Sequence, residues 1–342
     1  AITGFSGASA LAQDEAAVAD RDIITVTARK REENLQDVPV SVTALTEEFI
    51  DDANLFDISD LSAFTPGFQQ QQAFGRDGDR PVIRGTSNIL ISEGKVGIFV
   101  DGIPFIGDSS ALDLNSFERV EIIRGPQSAI FGRGTLSGAI NYVTKKGSNE
   151  ITGRLQGTVA EWSEYEIFGG LSGPIVEDKL FGYVSAKYFE NGGDQTNRLN
   201  GNHLGQSTTT VNAGLRYAAS DDVEFGIRYI FTDDEDDHFA IALQDSSFNN
   251  CQPGSRGYFC GEVEFPDVLE LNTDDLLAPG LSRQAHRFFG DASWDIGGSG
   301  YTLSGLFGYT DVTERSGTDQ TYDGTTALFI TSPFVCANFI PN

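Results

Sequence analysis

The segment Val120–Lys146, VEIIRGPQSAIFGRGTLSGAINYVTKK, places Gly132, Gly134 and Gly138 after a strand-like apolar run, where a phosphate-cradling loop could stand. A dinucleotide fingerprint requires G-x-G-x-x-G opening a helix, and here the third glycine falls one place late. A P-loop requires Gly-Lys-Ser/Thr, whereas Gly134 is followed by Thr135 and Leu136. The residues after Gly138, AINYVT, are β-rich, so the spacing predicts a turn packed between two strands. Other chemistry is sparse. His203, His238 and His286 have no ligand-spaced neighbours, and no nucleophile signature is present, so neither catalysis nor a metal or cofactor site is expected. The run Asp233–Asp237 lacks the alternating ligands and glycine of a calcium loop and reads as a solvated loop base rather than a cation or lipopolysaccharide-bridging site.

Composition narrows the classes. The chain has 342 residues with 39 Gly, 25 Phe and 10 Tyr, and its 23 basic against 50 acidic residues give a formal charge of −27. Such a charge repels a phosphate backbone and excludes nucleic acid as a partner. No apolar run reaches the ~18 residues of a spanning helix, but transmembrane strands of about ten alternating residues remain open. The opening AITGFSGASALAQ contains Ala10-Leu11-Ala12, an A-x-A cleavage pattern, so residues 1–12 are expected to be the remainder of a secretory signal. Export permits disulfides. Cys251 and Cys260, in NNCQPGSRGYFCG, are expected to pair, which leaves Cys336 without an assigned partner.

The elements that must carry these residues fall into two regimes. Between Asn34 and Lys146 lie short strands near 38–44, 81–84 and 96–100, with short helices over 47–53 and 58–64 capped by Thr46 and Asp57. Beyond Gly147 the pattern becomes long alternating strands, near 151–160, 165–174, 179–190, 207–218, 223–232, 285–296 and 301–313. Val223, Phe225, Ile227, Tyr229 and Phe231 share one face, with Glu224, Gly226 and Arg228 on the other. The links IVED, AASDD and GGSG are tight, while NGGDQTNRLNGNHLG and the stretch from Asp233 to Arg283 are long. Short turns on one side and long loops on the other fit a barrel in an outer membrane better than a sandwich.

The runs DIITVTARKREENLQDVPVSVTALT, PVIRG, GIFVDGIPF and ERVEIIRGPQSAIFGRGTLSGAINYVTKK, followed by amphipathic strands, resemble a TonB-dependent outer-membrane receptor from about Asp22 to Tyr309. The resemblance implies an α+β plug domain over 34–146, then an incomplete antiparallel transmembrane β-barrel over 147–342 with seven of an expected total of about 22 strands. It implies a cell outer-membrane location in a Gram-negative bacterium, with a periplasmic N-terminus, contact with lipid and lipopolysaccharide, and TonB as the energising partner. The segment 13–33 would then hold the TonB box at Ile23, Ile24, Thr25, Val26, Thr27 and Ala28, a stretch suited to strand addition. The implied cargo is an iron–siderophore; vitamin B12, haem, oligosaccharides and aromatic compounds are alternatives, as is an uncoupled binding barrel. Phe74, Arg76, Asn88 and Phe105 match the apical ligand-binding positions of similar receptors. Arg84 and Arg124 match arginines that latch the plug to wall glutamates. Glu118 and Glu121 lie near them in sequence, but the wall partners are expected in strands outside this chain.

Overall fold

The computed structural model describes residues 24–86, 94–241 and 268–319, apart from residues 29, 32, 73, 78, 275, 298 and 299 within those stretches. The first body is built from β1 (Thr25–Val26), β2 (Glu33–Asn34), β3 (Ser41–Thr46), α1 (Glu47–Asp52), α2 (Ile58–Phe64), β4 (Phe68–Gln72), β5 (Asp79–Ile83), β6 (Val96–Val100), β7 (Ile103–Pro104), β8 (Phe117–Arg124), α3 (Ser128–Phe131) and β9 (Gly138–Thr144). Its sheet has the order β3-β8-β9-β6-β7, with β6 and β9 parallel and the remaining pairs antiparallel. Helix starts fall where short polar side chains can take up orphan N–H groups. Thr46 accepts from the Phe49 N–H, and Asp57 accepts from Ser59 and Asp60 while the Asp60 carboxylate reciprocates at the Asp57 N–H.

The main core of this body gathers Ile50, Ile58, Leu61, Phe117, Ile122 and Tyr142, among others. A second, smaller cluster lies around Phe99, Ile123, Phe131 and Ala139, and Val26 and Ala28 are buried in it. Residues 24–28 therefore pack as part of the plug fold, although sequence alone places the plug boundary at residue 34.

The glycine-rich segment closes on itself. The Gly125 N–H donates to the Ser137 carbonyl at 2.8 Å and the Gln127 N–H to the Thr135 carbonyl at 2.9 Å. Gly132 and Gly134 take φ of 83° and 86°, which L-residues avoid, whereas Gly138 serves close approach to a neighbouring strand. The chain then enters the strand β9, so no helix N-terminus faces a phosphate position.

The second body is a wall of seven antiparallel strands formed by β10 (Thr152–Ala160), β11 (Glu164–Val176), β12 (Leu180–Asn191), β14 (Gln206–Ser220), β15 (Val223–Asp236), β17 (Gly280–Asp295) and β18 (Thr302–Gly317). Two short strands, β13 (Thr196–Asn197) and β16 (Val268–Leu269), pair in parallel within the long connections. The alternation sorts side chains by parity. Leu155, Ile167, Leu171, Leu215, Phe225 and Ile227 project outward and are exposed, while Lys187, Asn212, Arg228, Asp234, Arg283 and Arg287 are buried on the plug side.

The expectation of a solvated loop base at the acidic run is corrected by the pairing. Residues 233–236 continue β15 as paired strand. Asp234 and Asp236 keep the inward parity of Arg228 and Thr232, and Asp234 is fully buried.

The plug–wall junction and the N-terminal strand as candidate functional site

The two bodies meet through an apolar contact, in which Ile230 and Phe289 of the wall join the main core, and through charged and hydroxyl groups. At the end carrying the long connections, Arg76 lies in a short 3₁₀ turn and is 5% exposed. Its Nε donates to Asp236 at 2.8 Å, one terminal nitrogen reaches Asp234 at 3.3 Å and Thr208, and the other reaches the Ser207 carbonyl at 2.9 Å and Asp236. Asp234 also accepts from Arg283 at 3.0 and 2.9 Å and from the Thr208 hydroxyl at 2.9 Å. Arg283 in turn comes within 3.5 Å of the plug residue Asp108 and donates to the Arg76 carbonyl at 3.4 Å. Two guanidinium groups thus share one buried carboxylate across the junction.

Deeper contacts are of the same kind. Arg287, fully buried, lies over the Phe105 ring at 4.4 Å and donates to the Ile106 carbonyl at 3.1 Å and to Thr232 at 3.0 Å. Lys187 sits between Asp113 of the plug and Glu166 of the wall, at 3.7 and 3.6 Å. The Ser116 hydroxyl lies 2.8 Å from the Ser185 hydroxyl and accepts from the Asn212 amide at 2.8 Å. Toward the tight-turn end, Arg228 bridges Asp101 at 2.8 Å and Asp291 at 2.6 Å, and Arg154 pairs with Asp51 of α1. Charge-assisted contacts of this kind fix position strongly, yet each has a substitute in water if the bodies part.

These placements revise the expected site. Arg76 is not available to an anionic ligand, because every nitrogen of its guanidinium is already committed to the wall. Phe105 is corrected too, since it is buried beneath Arg287 and belongs to the main core. Phe74 is accessible at 41% and meets Phe239 edge to face at 5.6 Å. Asn88 and the Cys251–Cys260 pair lie outside the described residues. Arg124 donates to the Pro66 carbonyl at 2.7 Å, and Arg84 holds a left-handed backbone with φ of 53°. Among the described residues neither forms an ion pair with a carboxylate. Among the described residues the plug–wall ion pairs at this end are carried by Arg76, Arg283, Asp234 and Asp236. Their signal in the sequence was the shared parity of Arg228, Thr232, Asp234 and Asp236 along one strand face.

Arg76→Ala in the full-length receptor should lower plug anchoring by about 1.5–3 kcal/mol, the range for hydrogen bonds to charged groups. A double-mutant cycle with Asp236→Ala, read by denaturant unfolding in detergent, should give a coupling energy above about 0.5 kcal/mol. Strict additivity would show that the pair is not formed.

At the other side of the plug sheet, Ile24–Ala28 of the expected TonB box is described and Ile23 is not. β1 pairs with β2 in the register Thr25↔Asn34 and Val26↔Glu33, and Thr27 reaches the buried Glu121. An extended segment is thus docked on the plug with Thr25 exposed and Val26 and Ala28 inside.

The fold and the site define a plug body seated by ion pairs against one face of an amphipathic β-wall. Residues 34–139 match the family described as TonB-dependent Receptor Plug Domain. The chain is 27% identical over 216 residues to the pesticin receptor of Yersinia pestis, covering 62% of this chain and 32% of that protein. It is 26% identical over 166 residues to the ferric-pyoverdine 358 receptor of Pseudomonas putida, covering 48% of this chain and 20% of that one. Among solved structures, the ferric yersiniabactin uptake receptor FyuA from Yersinia pestis superposes with a TM-score of 0.65 at 20% identity, covering 80% of this chain and 41% of that chain. The chain thus spans about a third or less of these curated relatives, and at such identities the structural likeness speaks for the fold alone.

Proposed function

We propose that this chain is the plug-bearing part of an energy-coupled importer that takes a scarce ligand, a ferric siderophore, across the outer membrane with TonB as partner. The observation that carries the reading is the plug lodged against the wall by a chain of buried ion pairs, with an extended strand at its N-terminus. The polar contacts that hold the plug have substitutes in water if it shifts, and an extended strand offers an edge for a partner strand. The siderophore assignment is supported by the relatives whose names carry ferric pyoverdine. A second reading, import of vitamin B12, is favoured by 29% identity over 133 residues to the vitamin B12 transporter BtuB of Vibrio vulnificus.

Uptake separates these readings. Cells expressing the full-length receptor should accumulate iron-55 supplied as a ferric siderophore only when TonB is present, while surface binding persists without it. Accumulation independent of TonB would identify an uncoupled barrel, and TonB-dependent accumulation of labelled cobalamin instead of iron would transfer the assignment to the second reading.

A further inference from the structure

Thr27 is held to the plug by a residue far away in the chain. Its backbone N–H donates to Glu121 Oε1 at 2.8 Å, and its hydroxyl lies 3.1 Å from both carboxylate oxygens, across a separation of 94 residues. Glu121 is 0% exposed. Its charge is balanced by Arg119, whose Nε donates at 2.9 Å, and Asn141 donates to Glu121 at 3.4 Å and to the Thr27 hydroxyl at 3.1 Å.

Other main-chain groups of the segment are engaged as well. The Thr27 carbonyl accepts from the Lys30 N–H at 2.8 Å and the Ile24 carbonyl from the Leu35 N–H at 2.9 Å, while β1 pairs with β2 in the register Thr25↔Asn34 and Val26↔Glu33. Strand addition requires unpaired N–H and C=O groups on the edge that receives the partner. The Thr27 N–H cannot be offered while Glu121 holds it.

On the reading of Ile24–Thr27 as the TonB box, we infer that Glu121 is a positioning residue that clasps this strand shut on the plug and sets how readily it becomes available to its partner. The clasp is asymmetric. When Thr27 leaves, Glu121 keeps Arg119 and Asn141, so no buried carboxylate is stranded without a partner. Opening therefore breaks contacts on the strand side while the plug side stays paired, and the resistance comes from the charge-assisted bonds to Thr27 together with burial of Val26 and Ala28.

The test uses the full-length receptor in outer-membrane vesicles with Ala28→Cys as reporter, its labelling corrected by the same receptor without that substitution. Ala28 is 1% exposed, so a thiol there is shielded while the strand is docked. Glu121→Gln, which keeps the shape and removes the charge, should raise the rate of thiol labelling about tenfold without added ligand. Thr27→Val, which alters only the strand, should raise it about threefold, and it decides alone if Glu121→Gln fails to reach the membrane. Labelling at the parent rate in the variants that accumulate overturns the clasp. Affinity for the purified periplasmic domain of TonB is measured on the same vesicles. Faster labelling with tighter TonB binding supports both readings, while faster labelling with unchanged binding keeps the clasp and removes the TonB-box assignment.

Discussion

Asp234→Ala in the full-length receptor should destabilise the seating of the plug by about 3–5 kcal/mol, the range for removing one partner from a buried charge network. The carboxylate is fully buried and is shared by Arg76 and Arg283, so its loss leaves two buried guanidinium groups with fewer partners. Arg283 would still have Asp108 at 3.5 Å and Glu314 at 3.8 Å, which keeps the loss from being larger. The neighbouring Asp233 projects to the other face of the strand and provides the control: Asp233→Ala should change stability by less than about 0.5 kcal/mol. Urea unfolding in detergent, followed by protease sensitivity of the plug, reads both variants. Equal behaviour of the two would contradict the latch.

The second large effect concerns the motif at the centre of the plug sheet. A methyl group at Gly138 would collide with the Ile123 carbonyl oxygen and stand 2.7 Å from Ile83 Cδ1. The first obstacle is the backbone of the adjoining strand β8, which cannot rotate away as a side chain can. Because β9 is paired on both edges, to β8 and to β6, a shift propagates through the sheet. Gly138→Ala should therefore cost at least the ~1–3 kcal/mol of ordinary overpacking and reduce the yield of protease-resistant plug. Gly132→Ala is a useful contrast, since nothing lies within 4 Å of the added carbon and only its φ of 83° is unfavourable. Comparable yields for Gly138→Ala and the parent receptor would refute the close-approach account.

Periodicity made much of this architecture legible. The seven wall strands could be read from alternation because an amphipathic strand writes its two environments into odd and even positions, and the helix starts at Thr46 and Asp57 from local capping. The site was harder to read because its contacts are distant in sequence. Arg76 meets Asp236 across 160 residues, and nothing local distinguishes an arginine that faces a ligand from one that faces a wall. Phe105 is illegible for the same reason, since it joins the main core and lies under Arg287 of a distant wall strand. The acidic run was different. Its charge density resembles a loop, but its parity continued the inward series begun by Glu224 and Arg228, and extending that series past residue 232 lengthens the strand and predicts its partners. In the sequence Glu121 is only a neighbour of Arg124, because its contact with Thr27 is a property of sheet order.

The docked N-terminal strand also stores length. β1 and β2 pair antiparallel on the plug in a ladder of only two residue pairs, Thr25↔Asn34 and Val26↔Glu33. Drawn out, the segment 24–34 spans about 35 Å at the reach of an extended chain. On the reading of Ile24–Thr27 as the TonB box, undocking it would move the point of mechanical attachment deeper into the periplasm before any load reaches the plug sheet. The short ladder, which peels one pair at a time, would take up slack, and the five-stranded sheet behind it would bear tension only once that slack is gone.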